Sequence, residues 1–192
     1  MAPYQYEALQ GPSDIRILYI APAQDDTDTL SGTLVPVSLD DAPVYIALSY
    51  TWGSSELCRE IKIDGESLAI TSNWDLALRR MRAAGITDAW ADGICINQRD
   101  IPERNQQVGL MGRIYSECDM ALIYLGEEAD GSDEIPDFIS RLVPAVESDE
   151  AQVSHFHENP VLPDVDDPGW QALRLLLERP WFLRVWSECM QA

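Results

Sequence analysis

Between Val44 and Gly126 short apolar runs alternate with amphipathic stretches, and this alternation leaves few folds open to the chain. "VYIALSYTWG" (Val44 to Gly53) is almost continuously apolar before it ends in hydroxyls, an indole and a glycine, as expected of a strand covered on both faces. "REIKIDGESLAI" (Arg59 to Ile70) reads as a hairpin that turns at Asp64-Gly65. In "TSNWDLALRRMRAAG", Trp74, Ala77, Leu78 and Met81 recur at helical spacing, Ser72 or Asn73 can cap the start, and Gly85 can close the end. "TDAWADGICIN" returns to strand. "DIPERNQQVGLMGRIYSEC" returns to helix, with Asp100 as cap, Pro102 in the first turn, and Val108, Met111, Ile114, Tyr115 and Cys118 on one stripe. "MALIYLG" (Met120 to Gly126) is the next buried strand. The order predicts an α/β domain with a mainly parallel sheet flanked by helices.

Upstream, "IRILYIAP" and "GTLVPVSL" read as two strands joined by the acidic loop "AQDDTDT", an N-terminal β-hairpin addition. Downstream, acids crowd the stretch from Glu127 to Asp167, which reads mostly as a solvated insertion. Within it "DEIPDFISRLVPAVE" is weakly helical and interrupted by Pro144, and "QVSHFHENPVLPDVDDPG" is loop. "WQALRLLLERPWFLRVWSECMQA" closes the chain as a helix, a break at Pro180 and a second segment, with Trp181, Phe182 and Trp186 clamping it to the sheet. The expected organisation is one domain of 192 residues: N-terminal strands over 1–43, a core over 44–126, the insertion over 127–168 and closing helices over 169–192. A chain of this length can bury roughly 70% of the surface it exposes unfolded. It reads as the N-terminal part of a longer protein.

The charge balance narrows the function. Thirty-three acids against thirteen basic residues give a net charge of −20, which disfavours nucleic acid and anionic membrane as partners. Cys58, Cys95, Cys118 and Cys189 form no C-x-x-C pair, and there is neither a signal peptide nor an apolar run of about 18 residues, so the chain reads as cytoplasmic and reduced. Its two histidines, His155 and His157, both lie in the acidic insertion. Most zinc sites and histidine-based triads are thereby removed, and no metal or permanently bound cofactor is expected.

In open α/β sheets ligands collect beyond the carboxyl ends of the strands. Two strands here end in polar residues. The first delivers Ser49, Tyr50, Thr51, Trp52 and Gly53 to such an edge. The second delivers Asp92, Asn97 and Gln98, followed by Glu103, Arg104 and Gln107 at the start of the next helix. Asn97 and Gln98 serve equally well to satisfy turn backbone. Asp92, read as mid-strand, needs a partner, because an unpaired buried carboxylate costs several kcal/mol. Arg104 is the first choice, and such a pair is as readily structural as functional. Cys95, between Ile94 and Ile96 and without a histidine nearby, reads as a small buried hydrophobe rather than a nucleophile. Trp52, on a glycine-containing loop, is the indole best placed to touch a ligand.

"YIALSYTWG", "WADGICINQRDIPERNQQVGLMGRIYSECDMALIYLG" and "RPWFLRVW" resemble, in order and spacing, the three signature blocks of the HET (heterokaryon incompatibility) domain of filamentous fungi. The lead-in "YQYEAL" followed by "IRILYIAP" is similar too. The resemblance implies a cytosolic effector of programmed cell death, one part of a receptor-like protein that works by self-association or through a regulatory domain. It also implies a distant likeness to Toll/interleukin-1 receptor (TIR) domains, with a flavodoxin-like fold and, in some members, cleavage of NAD as substrate when assembled. By that likeness Ser49, Tyr50, Trp52, Gly53, Asp92, Asn97, Gln98, Glu103, Arg104 and Gln107 would form the substrate site. The family's usual ending reads Trp, two variable residues, then Gln-Glu, which would place glutamine and glutamate where this chain has Cys189 and Met190. Glu188, two positions earlier and about 200° around a helix, is the remaining candidate for the catalytic carboxylate. The alternatives are a non-enzymatic signalling module and a degenerate regulatory copy.

Overall fold

The computed structural model describes residues 2–25, 27–147 and 162–183. It divides into two compact units, Met1–Gly126 and Glu127–Ala192.

The first unit is built on one seven-stranded sheet. Its strands are β1 (Asp14–Ile20), β2 (Ser31–Ser38), β3 (Ile46–Tyr50), β4 (Arg59–Ile63), β5 (Glu66–Ile70), β6 (Asp88–Trp90) and β7 (Met120–Tyr124), in the spatial order β5-β4-β2-β1-β6-β3-β7. β1 runs antiparallel to both neighbours and β5 is antiparallel to β4, whereas the pairs β2–β4, β3–β6 and β3–β7 are parallel. All strands except β1 and β5 therefore point the same way, the α/β arrangement that the alternation predicts. β3 lies between β6 and β7 and is parallel to both.

The N-terminal hairpin is present, but it forms the middle of the sheet rather than its margin. β1 sits between β2 and β6, with Ile15, Ile17 and Leu18 fully buried. Its near-continuous apolar sequence fits a strand covered on both faces. The β4–β5 turn has positive φ at both Asp64 (52°) and Gly65 (85°), which the type I′ hairpin requires.

Among the described residues this unit also carries the α-helices α1 (Ser72–Ala83), α2 (Asp92–Cys95) and α3 (Ile101–Glu117). Thr71, not Ser72 or Asn73, caps α1 by accepting from the Trp74 N–H. The end of α1 is a Schellman motif around Gly85, in which the Ile86 N–H reaches Met81 O and the Gly85 N–H reaches Arg82 O. The strand expected through Asn97 stops at Trp90. Ile94, Cys95 and Ile96 are buried instead around a single helical turn, since a short apolar run specifies burial without specifying strand or helix.

α3 starts at its predicted cap, Asp100, whose side chain accepts from the Glu103 N–H. Its inner stripe differs by one position from the prediction. Val108 is 45% exposed, and Gln107 is fully buried in its place, donating to Asp14 O at 2.7 Å. Tyr45 fastens α3 to the sheet by donating to Ile114 O at 2.7 Å. β7 is half-exposed rather than buried, because it pairs only with β3 among the described residues and lies at the sheet edge.

In the second unit α4 (Ile135–Glu147) and α5 (Pro168–Leu177) pack against each other, followed by a turn of 3-10 helix over Pro180–Leu183. α4 continues through Pro144 instead of breaking there. Phe138 is buried and meets Trp170 edge-on at 4.9 Å, so part of the expected solvated insertion carries a small core of its own. Trp181 is buried and packs edge-on against Phe182; Trp186 lies outside the described residues. No helix among the described residues is long and apolar enough to cross a membrane.

Candidate functional site

β3 and β6 are parallel neighbours, with Ala47 opposite Trp90, so their carboxyl ends open on the same edge of the sheet. Tyr50 is the last residue of β3, and Asp92 follows the end of β6 by two positions. The Tyr50 hydroxyl donates to Asp92 Oδ1 at 2.7 Å, and the Trp52 indole Nε1 donates to Asp92 Oδ2 at 3.1 Å. Asp92 is thus the first residue of a helical turn at a strand end, not a mid-strand residue. Its partners are a phenol and an indole; Arg104 is exposed on α3 and makes no ion pair with it.

The surroundings fix this geometry from several sides. Trp74, in the first turn of α1, packs edge-on against Tyr50 at 6.1 Å and against Trp52 at 5.4 Å. Gly93 makes room for that ring, since a Cβ there would stand 1.9 Å from Trp74 Cζ2. The loop after β3 is tied to the same helix start. The Asn73 amide donates to Thr51 O at 3.2 Å, and Gly53, at φ 64°, sits where a Cβ would meet that amide at 2.6 Å. Trp52 remains 38% exposed. Burial pushes the Tyr50 hydroxyl well above its ordinary pKa, and the adjoining Asp92 charge and hydrogen bond push the same way, so Tyr50 stays a donor at neutral pH.

The other candidates divide. Gln98 joins the cluster by donating from Nε2 to Asp92 O at 2.7 Å. Asn97 serves its own turn, its Oδ1 accepting from the Arg99 N–H at 3.2 Å. Ser49 is buried within β3. Glu103 takes a bidentate hold on Arg16 at 2.7 and 2.9 Å and accepts from the Asn97 N–H at 2.7 Å. Gln107 is committed to Asp14, as described for α3. Cys95 is fully buried, and burial raises its thiol to about 12, which removes it as a thiolate nucleophile at neutral pH. Glu188, Cys189 and Met190 lie outside the described residues.

Sequence reasoning missed Arg16, Tyr6 and Trp74. Arg16 is 1% exposed, donates to Cys95 O at 2.9 Å and lies over the Tyr6 ring at 5.0 Å. The Tyr6 hydroxyl donates to Ile94 O at 2.8 Å. The N-terminal segment therefore pins the turn that follows Asp92. A signal existed in "IRILYI", where a guanidinium inside a buried strand demands partners.

Comparison with known proteins gives a consistent family. The model of the family described as "Heterokaryon incompatibility protein (HET)" matches residues 45–189. "Heterokaryon incompatibility protein 6, OR allele" of Neurospora crassa is 36% identical over 154 residues, covering 72% of this chain and 23% of that protein. The chain thus spans less than a quarter of the length of this relative. No solved structure matches the present chain.

Proposed function

Because the chain belongs to the heterokaryon incompatibility (HET) family, we propose that it is the effector domain of an incompatibility protein, with the Asp92 cluster as its working site. The observation that carries this reading is the Asp92 carboxylate held between Tyr50 and Trp52 at the adjoining carboxyl ends of two parallel strands. Such strand ends are where α/β sheets bind ligands.

The finer reading is a TIR-like hydrolase that cleaves NAD once copies are brought together, leading to cell death. The parallel block β6-β3-β7, with its earliest strand in the middle, supports a flavodoxin-like comparison. In the reaction the bond between nicotinamide nitrogen and ribose C1′ breaks, and nicotinamide leaves with the electron pair. Water adds to the oxocarbenium-like C1′ and gives up a proton, yielding ADP-ribose. A carboxylate near C1′ stabilises that charge and takes the proton. In this reading Tyr50, Trp52, Asp92 and Gln98 form the binding wall.

Met190, at the family's glutamate position, favours a second reading: a module that signals by self-association without catalysis. Expression of the chain and of Asp92→Asn in a filamentous fungus tests the effector role. Death or growth arrest caused by the first and relieved in the second is expected. Equal viability of both, with both proteins accumulating, would contradict it.

A further inference from the structure

The Asp92 carboxylate has acceptor capacity that the fold leaves unused. Each oxygen accepts one hydrogen bond, from Tyr50 or Trp52, and no other described residue donates to them. An ionised carboxylate offers about four acceptor positions, so each oxygen can take a further donor. A forked acceptor of this kind suits two adjacent hydroxyls. Beside it the Trp52 ring is 38% exposed, an aromatic surface on which a planar base can stack.

In dinucleotide-binding βαβ units, an acid following the second strand bonds the ribose hydroxyls. Here β6 is reached from its parallel neighbour β3 through the β4–β5 hairpin and α1, and Asp92 follows β6 by two positions. The chain leaving the site carries Arg99 and Arg104, both exposed, and their guanidinium groups form no ion pair or hydrogen bond among the described residues. On a protein of net charge −20 they are cations available to a phosphate.

We infer that Asp92 is the diol-binding acid of a nucleoside site, with ribose hydroxyls on its carboxylate, the base against Trp52 and attached phosphates directed toward Arg99 and Arg104. This rests on the nucleotide reading above and sharpens it. Asp92 binds the sugar, and the acid that meets C1′ is a different one.

The test varies the ligand first, so it needs no variant. Calorimetric titration of the full chain with adenosine, 2′-deoxyadenosine, 3′-deoxyadenosine and NAD is expected to show each deoxy analogue binding about ten- to a hundredfold more weakly than adenosine, as loss of a hydrogen bond to a charged group implies. Asp92→Asn should abolish that preference while the far-ultraviolet circular dichroism is retained, and Arg99→Ala with Arg104→Ala should weaken NAD more than adenosine. Equal affinity for adenosine and its deoxy analogues overturns the inference, as does failure of both adenosine and NAD to bind at millimolar concentration, or a preference that survives Asp92→Asn. Parallel assay of NAD consumption separates the two claims. Diol-dependent binding without turnover removes the hydrolase and leaves the site, whereas turnover indifferent to Asp92→Asn removes the diol site and leaves the hydrolase.

Discussion

The Tyr50 hydroxyl and Asp92 Oδ1 stand 2.7 Å apart, a hydrogen bond that joins the ends of two parallel strands across 42 residues of chain. Tyr50 is 2% exposed, so no water can replace the hydroxyl without opening the aromatic cluster. Removing a hydrogen bond to a charged acceptor typically costs about 1.5–3 kcal/mol. Tyr50→Phe is therefore expected to lower unfolding free energy by about that amount, read as a reduced denaturant midpoint at unchanged slope. An unchanged midpoint would show that the bond contributes nothing to the folded state.

Gly93 tests the cluster from the other side. A Cβ at this position would overlap the Trp74 ring, which is itself wedged against Tyr50 and Trp52. Overpacking in such a place costs about 1–3 kcal/mol. Gly93→Ala should lower the denaturant midpoint and alter the near-ultraviolet signal of the indoles. Gly109→Ala, where nothing lies within 4 Å, should do neither.

The buried Arg16–Glu103 pair makes stability depend on pH. Burial alone would raise the Glu103 carboxyl, but its hydrogen bonds from Arg16 and the Asn97 N–H, together with the Arg16 charge, outweigh burial and hold it below the usual glutamate value. A carboxyl with a depressed folded pKa contributes stability that is present above its unfolded pKa of about 4.3 and is lost as pH falls through the folded value. Wild-type stability should therefore fall as pH drops below the unfolded glutamate value of about 4.3, and Glu103→Gln should flatten that part of the profile. Glu103→Gln also leaves Arg16 buried without a counter-charge, a change that typically costs about 3–5 kcal/mol. Urea midpoints measured from pH 3 to pH 7 check both effects; parallel profiles for the two proteins would contradict the assignment.

What the sequence revealed and what it hid follow from the range of the interactions. The Asp64-Gly65 turn, the Asp100 cap and the helical spacing from Trp74 to Met81 are local, and each appears as expected. Tyr50, Trp52 and Asp92 were legible because polar residues at the end of an apolar strand need a reason to be there. Their mutual bonding was not legible, because it depends on β3 and β6 being neighbours. Arg104 looked the natural partner for Asp92 by charge, but the turn at Asp92–Cys95 directs the carboxylate to Tyr50 and Trp52 instead. Arg16 and Glu103 are 87 residues apart, and only the central placement of β1 brings them together. The sequence pattern marks Gln107 as a ligand contact and Val108 as core, because a polar residue in a helix stripe looks exposed until its backbone partner, Asp14 O, is known.

We propose that the Asp92 cluster is the working site of a domain that consumes NAD when assembled. This proposal is tested most directly by measuring NAD turnover in the purified chain under forced clustering, for the wild type, Met190→Glu and Asp92→Asn. Turnover by the wild type is expected, with faster turnover by Met190→Glu and at least a roughly tenfold loss of kcat/KM in Asp92→Asn, mostly through KM. No NAD consumption by either the wild type or Met190→Glu, or a kcat/KM unchanged by Asp92→Asn, would contradict it.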